Sequence, residues 1–391
     1  MLMATLLGCG GGGGAATSPT LPPLSSVFSS SYGYTQSFSG EPQIKVSTLI
    51  HQALSASDTD TRNTLVFGDF FREGVGSFSA FVMVNQSSGL SKPYFFKRIN
   101  GVWTDKTTDI LSDRAGCTTA AYAITADFNG DGRHDIFVAC KGALSGGQWQ
   151  REAQLLYLST DDANGTYTKI NLHASNGVDF IYAGFQATAA DVNDDGAMDL
   201  VLATGESSPV FLMGRAASPK TNIDFTLDTT RTVVSNIGMP TLIHSVKLIP
   251  RSGTSRFDLV ISGGASNQGQ SIVWISGSTD TALTPRPGTF FYLNSSNAKA
   301  FSITGLEAVD ALYSSGKLLL NMQTADRSTM EIWSYAETGG ATNALLMPSY
   351  SDKTSAKLFM SSAGKLLVYD GDCELQSTAQ NTSRCSLLVT P

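Results

Sequence analysis

The chain has 391 residues, of which 41% are hydrophobic and only 15% are charged, while Ser, Thr, Gly, Asn and Asp are abundant. This composition is typical of short strands joined by many turns, and it excludes a protein built from long charged helices. The net charge of −7 gives no electrostatic basis for a nucleic-acid partner, so we expect none and regard cations as better matched to the acidic balance.

The first nine residues are mostly apolar and end in Leu6-Leu7-Gly8-Cys9, which resembles a bacterial lipobox. The resemblance implies that Cys9 becomes the lipidated first residue and that residues 1–9 are the remnant of a signal peptide. No Lys or Arg precedes the apolar stretch, although signal peptides begin with a basic region, so we expect the true start to lie upstream. The alternative is an ordinary cysteine in a disordered tail.

Residues 10–40 form a segment rich in Gly, Ser and Pro that has little to pack. Such a composition predicts a flexible tether. No stretch reaches the roughly 20 apolar residues of a membrane-spanning helix, so we expect attachment through lipid. The expected location is a bacterial outer membrane or cell surface, with the periplasm as the alternative.

Residues 41–391 carry a recurring unit: an apolar strand, a turn rich in Asp, Gly or Ser, and a second, almost wholly apolar strand. The second strands are predicted at six places: 78–84, 136–139, 200–203, 259–261, 318–320 and 366–369. The residues just before them stand 58, 64, 59, 59 and 48 residues apart: Ser77, Asp135, Asp199, Asp258, Lys317 and Lys365. A period of this length indicates a repeat architecture.

Each unit has room for four strands, because further strands follow the marker strand, as at 154–158, 210–213 and 272–275, and outer strands are predicted at 167–170 and 290–293. Radially arranged four-stranded sheets are the blades of a β-propeller, whose inner strands are apolar on both faces. We therefore predict an all-β fold, a β-propeller with six blades favoured over seven. A segment at 41–54 or 27–34 would close the ring. A β-sandwich or a parallel β-helix fits the unit length less well.

Four of the five cysteines fall into two local pairs, Cys117 with Cys140 and Cys373 with Cys385. The first pair flanks an acidic loop, and antiparallel strands on either side would bring the two residues within disulfide range. We expect two disulfides, with buried free thiols as the alternative.

Two nine-residue segments have the form D-x-N-x-D-G-x-x-D: 127–135 and 191–199. Side-chain oxygens at positions one, three and five can surround a hard cation, position seven offers its backbone carbonyl, and the aspartate at position nine closes the site. The glycine at position six permits the sharp turn. The pattern predicts two Ca²⁺ sites, with these ligands: Asp127, Asn129, Asp131, Arg133 and Asp135 in the first, and Asp191, Asn193, Asp195, Ala197 and Asp199 in the second.

The segments 123–139 and 187–203, which hold these loops and their flanking strands, resemble the FG-GAP or VCBS repeat family. That resemblance implies calcium loops in the blades of an integrin-α-like propeller. The corresponding loops of the other repeats, near Asp69, Asp258, Asp310 and Lys365, lack most ligands, so no calcium is expected there. The alternative for the two good loops is a turn rich in Asx residues without a metal.

The sequence contains no G-x-S-x-G, no H-E-x-x-H and no phosphate-binding G-x-x-x-x-G-K motif. Each of the four histidines is predicted to be a polar loop residue, with His134 pointing outward from its loop. The four tryptophans fit blade packing, and aromatic stacking on sugars is the alternative. We favour a non-catalytic surface module that binds a protein or glycan through propeller loops. The alternative is a polysaccharide-degrading lyase or hydrolase, which would place carboxylates, or His and Arg, at one mouth of the channel.

Overall fold

The computed structural model describes residues 61–233, apart from 62, 74–78, 101, 163–164, 194, 216–222 and 230–231, and the strands that lie between residues 242 and 389. Almost all regular structure in these residues is strand. The exception among the named elements is the short helix α1 (Thr107–Ile110). None of the helices in the described part of the chain has the length and apolarity to cross a membrane.

The first three large sheets are antiparallel and have four strands each. The first contains β1 (Val66–Gly68), β2 (Ser79–Val84), β3 (Lys92–Ile99) and β4 (Val102–Asp105). The second contains β5 (Ala120–Ala126), β6 (Asp135–Cys140), β10 (Leu155–Ser159) and β11 (Tyr167–Asn171). The third contains β13 (Gln186–Ala190), β14 (Asp199–Ala203), β15 (Val210–Arg215) and β16 (Asp224–Leu227).

The second sheet carries an insertion between β6 and β10. Strands β7 (Leu144–Ser145) and β8 (Gln148–Trp149) pair as a small hairpin. Strand β9 (Glu152–Ala153) pairs instead with β12 (Ile181–Tyr182), which precedes the third sheet. The insertion therefore stands outside the four-stranded pattern.

The later strands repeat the same antiparallel plan. One sheet contains β18 (Leu242–Pro250), β19 (Phe257–Ala265), β20 (Gly269–Ser276) and β21 (Ala282–Phe291), with β17 (Thr232–Val233) added in parallel to β21. The next contains β22 (Leu306–Ser314), β23 (Lys317–Thr324), β24 (Met330–Ala336) and β25 (Ala344–Tyr350). The last contains β26 (Lys357–Met360), β27 (Leu366–Tyr369) and β28 (Leu388–Val389).

Every predicted marker strand is the second strand of its sheet: β2, β6, β14, β19, β23 and β27. Burial on both faces explains their continuous apolar sequences. In β6, Ile136 and Val138 pack into the cluster shared with the first sheet, whereas Phe137 and Ala139 pack into the cluster shared with the third. Because side chains alternate along a strand, a sheet packed on both faces must be apolar at every position.

The first strands of successive sheets contact one another in chain order: β1 with β5, β5 with β13, β13 with β18, β18 with β22 and β22 with β26. Apolar clusters fill the spaces between the first and second, second and third, and third and fourth sheets. Antiparallel sheets whose first strands neighbour each other while their faces stack are the blades of a β-propeller. The all-β propeller prediction is confirmed, whereas the blade number stays a prediction.

Several predictions lie outside the described residues. These are the lipidation of Cys9, the tether at 10–40, the closing strand at 27–34 or 41–54, and the pair Cys373 and Cys385. The pair Cys117 and Cys140 does form a disulfide, with its Cα atoms 6.1 Å apart.

Candidate metal-binding loops

The two acidic loops occupy the same place in consecutive sheets. The first joins β5 to β6 and the second joins β13 to β14, so each is the turn between the first two strands of a blade. Gly132 and Gly196, the sixth residues, have φ values of 84° and 86°. Only glycine adopts this conformation readily. The glycine therefore allows the sharp turn that brings the side chains before and after it to the same loop.

Both loops have the same internal hydrogen bonds. In the first, Asp127 accepts from the amides of Asp131 (2.9 Å) and Gly132 (2.8 Å), and Asn129 Oδ1 also accepts from the Asp131 amide (2.9 Å). Asp131 accepts in turn from the Arg133 amide (2.9 Å). These contacts bring the oxygens of positions one, three and five onto the same short stretch of backbone.

The second loop repeats this pattern at every step. Asp191 accepts from the amides of Asp195 (3.0 Å) and Gly196 (2.8 Å), and Asn193 Oδ1 accepts from the Asp195 amide (3.1 Å). Asp195 accepts from the Ala197 amide (2.8 Å). The sequence repeat is therefore also a repeat of local structure.

The ninth aspartates are buried and support the loops from behind. Asp135 Oδ2 accepts from the amides of Phe128 (2.8 Å) and Asn129 (3.2 Å), and its Oδ1 accepts from the Ser159 amide (2.7 Å). Asp199 makes the corresponding contacts, to the amides of Val192 and Gly214 (both 2.8 Å). These carboxylates link the start of the loop to the third strand of the sheet.

Ser159 belongs to the first loop's surroundings, although sequence reasoning did not find it. Its hydroxyl lies 2.9 Å from both Asp131 Oδ2 and Asp135 Oδ1. A hydroxyl has one proton to donate, so it satisfies one of the two carboxylates at a time. Gly214 stands at the same place in the third sheet, where an added Cβ would lie 2.1 Å from the carbonyl oxygen of Met198. No sequence spacing marks Ser159, since it reaches the loop through strand pairing.

Burial and mutual repulsion disfavour the charged form of these carboxylates. Burial raises the pKa of Asp135 well above its ordinary value, and the charges of Asp127 and Asp131 raise it further. Burial, with a smaller contribution from Asp131, raises the pKa of Asp127. Burial above all, with the charges of Asp195 and Asp191 adding to it, raises the pKa of Asp199 to about 7. In each loop, therefore, the ionised carboxylates need a cation or a proton to neutralise them.

Arg133 partly offsets this charge in the first loop. Its Nη1 lies 3.9 Å from Asp131 Oδ2 and 3.3 Å from Asp161 Oδ1, and it also donates to the carbonyl of Thr160. The guanidinium therefore binds the turn between β10 and β11 more closely than it binds the loop. The predicted metal ligand at this position is the backbone carbonyl, as it is for Ala197, and both assignments remain predictions.

The prediction that His134 points outward is wrong. Its Nδ1 accepts from the amide of Asp69 in the first sheet (3.4 Å), and its carbonyl accepts from the hydroxyl of Tyr167 (2.7 Å). Burial lowers the pKa of His134, which favours the neutral ring. The residue faces the neighbouring blade because the loop lies in the seam between the first two sheets.

The donor set of each loop fits a hard divalent cation, but the oxygens are not drawn tightly together. Among the described residues, the one set of three His, Cys, Asp or Glu ligand atoms lying wholly within 4.8 Å is Cys117, Cys140 and Glu152. Its two sulfurs form the disulfide and are unavailable to a metal. Calcium–oxygen distances of about 2.3–2.6 Å require ligand atoms to lie within roughly 5 Å of each other, so the loop carboxylates would have to converge further around an ion.

In the matching loop of the first sheet, which lacks most of the predicted ligands, a serine takes over the hydrogen bonds that the ninth aspartate makes in the acidic loops. The Ser79 hydroxyl bonds the amide of Phe70 (2.9 Å) and the carbonyl of Gly68 (2.6 Å). This serine takes the place of the ninth aspartate as a partner for the loop backbone. Asp69, at the first position, accepts from the amide of Glu73 (2.7 Å).

We compared the chain with curated protein sequences and with solved structures. A search of curated protein sequences found no significant match. The structure described as the Dos1 propeller aligns at 10% identity and a TM-score of 0.41, over 78% of this chain and 74% of that one. The fucose-specific lectin of Aleuria aurantia aligns at 11% identity and a TM-score of 0.41, over 81% and 93%. At scores this low nothing further follows from either likeness.

The family comparison is local and more informative. Residues 127–202 match the family model for the FG-GAP-like repeat. The match begins at the first residue of the first acidic loop and ends within β14, after the second loop. This chain therefore contains an FG-GAP-like repeat, which includes both acidic loops.

Proposed function

We propose that this protein is a calcium-braced, non-catalytic binding module that recognises a protein or glycan through the loops of its propeller. One observation supports this more than any other: two consecutive blades carry the same hydrogen-bonded loop, in which burial and neighbouring aspartates disfavour the ionised form of the ninth carboxylate. A turn needing no cation would gain nothing from several aspartates that repel one another.

The residues that would hold calcium are those of the repeated pattern. Side-chain oxygens would come from the first, third, fifth and ninth positions, and a backbone carbonyl from the seventh: Asp127, Asn129, Asp131, Arg133 and Asp135, and Asp191, Asn193, Asp195, Ala197 and Asp199. Bound calcium would supply positive charge to each cluster. The protein's own contribution is the glycine turn and the buried ninth aspartate, which fix the loop to its strand hairpin.

The proposal includes a cellular setting. Residues 1–9 would be the signal remnant with Cys9 as the lipidated residue, residues 10–40 the tether, and residues 41–391 the propeller, held at a bacterial outer membrane or cell surface. The alternative location is the periplasm. The acidic net charge supports a partner other than nucleic acid.

Isothermal titration calorimetry on the purified, calcium-depleted protein tests the metal sites. We expect two sites, with Asp131→Ala removing the first and Asp195→Ala removing the second, because each change deletes one carboxylate ligand. Asp109→Ala is the control, since Asp109 is exposed in α1 and lies outside both loops. The absence of binding at millimolar calcium in a folded wild-type protein would overturn the assignment.

A second candidate function is a polysaccharide-degrading enzyme. It has some support from Lys141, Arg151 and His244, which lie near one end of the sheets, where a carboxylated sugar could be bound. Incubation with pectin or alginate fragments separates the two functions. Turnover that survives removal of calcium and depends on these residues would favour the enzyme, and binding without turnover would favour the module.

A further inference from the structure

Four side chains form a cluster at the end of the sheets away from the acidic loops. Lys141 Nζ lies 4.9 Å from the ring centroid of Trp149 and 5.0 Å from that of Phe185. The Trp149 and Phe185 rings meet edge to face at 6.4 Å, and Phe185 lies 5.0 Å from the ring of His244. The three rings are partly exposed, whereas Lys141 is only 9% exposed.

The chain topology places this cluster opposite the acidic loops. Phe185 directly precedes β13, and His244 lies near the beginning of β18, so both mark the end at which first strands begin. Lys141 directly follows β6, a second strand that runs antiparallel to β5. The acidic loops follow the ends of β5 and β13. Three neighbouring blades therefore contribute to one patch of surface.

The insertion of the second sheet supplies Trp149 to this cluster. In the second sheet, the segment that joins the second strand to the third is residues 141–154. The corresponding segments are shorter in the first sheet, residues 85–91, and in the third, residues 204–209. In repeat proteins, insertions specific to one repeat often lie on the binding face. The tip of the hairpin turns through Gly146 and Gly147, which have positive φ values, and Leu144 beside it is 59% exposed. The hairpin thus presents apolar surface to solvent next to the rings.

The patch contains two cations, one of which is already paired with a carboxylate. Lys141 brings a positive charge against the two rings, and Arg151 forms an exposed ion pair with Glu206 beside them. The protein as a whole carries a net charge of −7. Partly exposed aromatic rings beside cations suit a ligand that combines an apolar face with a negative group.

We propose that this patch is the binding site for an acidic glycan, specifically a chain of uronate sugars. The inference rests on the proposed binding function and gives it a ligand class and a location. The C–H face of a sugar ring packs on Trp149, and the uronate carboxylate is held by Arg151, the exposed cation of the patch. Glu206 orients Arg151 and is itself unfavourable for an anionic ligand.

Oligogalacturonate is the probe for this site, and the same oligomer with its carboxylates methyl-esterified is the matched neutral probe. Binding to the purified protein, in buffer without free calcium, is followed by calorimetry and by intrinsic tryptophan fluorescence. We expect the acidic oligomer to bind and Trp149→Ala to weaken it by about 10-fold, the size of one aromatic contact. Trp103→Ala, on the outer strand of the first sheet, is the control and should leave affinity unchanged.

A pair of variants distinguishes recognition of the anion from a purely structural ion pair. Arg151→Gln and Glu206→Gln each break the same contact, but only the first removes a positive charge. We expect Arg151→Gln to weaken the acidic oligomer several-fold and Glu206→Gln to leave its affinity equal or higher. Equal losses from both variants, or equal binding of the acidic and esterified oligomers, would overturn the proposal.

The test of the uronate site can fail without the proposed function failing, and the reverse is also true. Calcium titrations on the same variants should remain unchanged, because the patch and the acidic loops lie at opposite ends of the strands. If wild-type protein binds no uronate oligomer, the glycan site is refuted while the calcium-braced module stands. Failure of calcium binding alone would refute the module and leave the patch to be judged by its own variants.

Discussion

At the residue scale, the ninth aspartates of the acidic loops accept backbone hydrogen bonds that hold the loops in place, a role that their spacing does not reveal. The pattern predicts Asp135 and Asp199 as ligands that close a cation site. In the structure both oxygens of each carboxylate accept backbone hydrogen bonds from two different strands or loops. A buried carboxylate satisfied in this way fixes the loop whether or not a cation is present.

The Ser159→Ala variant tests whether the hydrogen bonds of the ninth aspartate stabilise the first loop. The change removes the hydroxyl that contacts Asp131 and Asp135 and leaves a buried carboxylate with one donor fewer. We expect the free energy of unfolding to fall by about 1–3 kcal/mol, measured by urea denaturation. Ser88→Ala, in the exposed turn after β2, should change it by less than about 0.5 kcal/mol. Equal stability of the two variants would contradict the role given to Ser159.

At the element scale, the strand hairpins follow directly from sequence patterning. The six marker strands are predicted because short apolar segments bounded by Gly, Asp and Ser cannot form helices of useful length. The structure places each as a second strand. The insertion at 141–154 could not be anticipated in this way, because strands β7, β8 and β9 are only two residues long and leave no periodic signal.

The Cys117–Cys140 disulfide stabilises the hairpin that holds the first loop. It closes the chain across a sequence separation of 23 residues, including β5, the loop and all of β6. Replacing both cysteines by alanine should lower the free energy of unfolding by about 2–4 kcal/mol, because the unfolded chain regains conformational freedom. Urea denaturation of the variant checks this. Wild-type protein unfolded under a thiol reductant is the control and should match the variant, and no difference from the oxidised protein would disprove the prediction.

At the scale of the whole molecule, contacts between first strands and stacked apolar clusters join the sheets into a propeller. The acidic loops lie at the ends of these first strands. Charge repulsion there therefore acts on the stability of the assembly and not only on one turn. The pH dependence of stability measures the combined effect of burial and that repulsion on the loop carboxylates.

The calcium-free protein should lose stability as the pH rises. The pKa of Asp199 is about 7 in the fold and 3.8 in its ordinary state, so the folded protein holds this proton more tightly than the unfolded chain. The resulting stabilisation is complete below pH 4 and is lost as the pH rises through about 7. Thermal denaturation without calcium should show a falling Tm between pH 5 and pH 8, and saturating calcium should reduce the fall.

Asp199→Asn is the matched variant for this measurement, because it keeps the shape of the side chain and removes its titration. Its calcium-free Tm should vary less with pH than that of the wild type. A wild-type Tm that is constant or rises over this range would show that the buried carboxylates do not hold protons in the folded state.

The sequence by itself determined the strand-and-turn repeat, the two acidic loops and the pairing of Cys117 with Cys140. All of these depend on residues close together along the chain, where hydrophobic alternation and turn chemistry act locally. Only the tertiary structure decided that Ser159 supports Asp131, that His134 faces the first sheet, and that Lys141, Trp149, Phe185 and His244 meet. Such contacts depend on which strand ends become neighbours when sheets stack, and that arrangement is set by packing between blades and not by the local sequence.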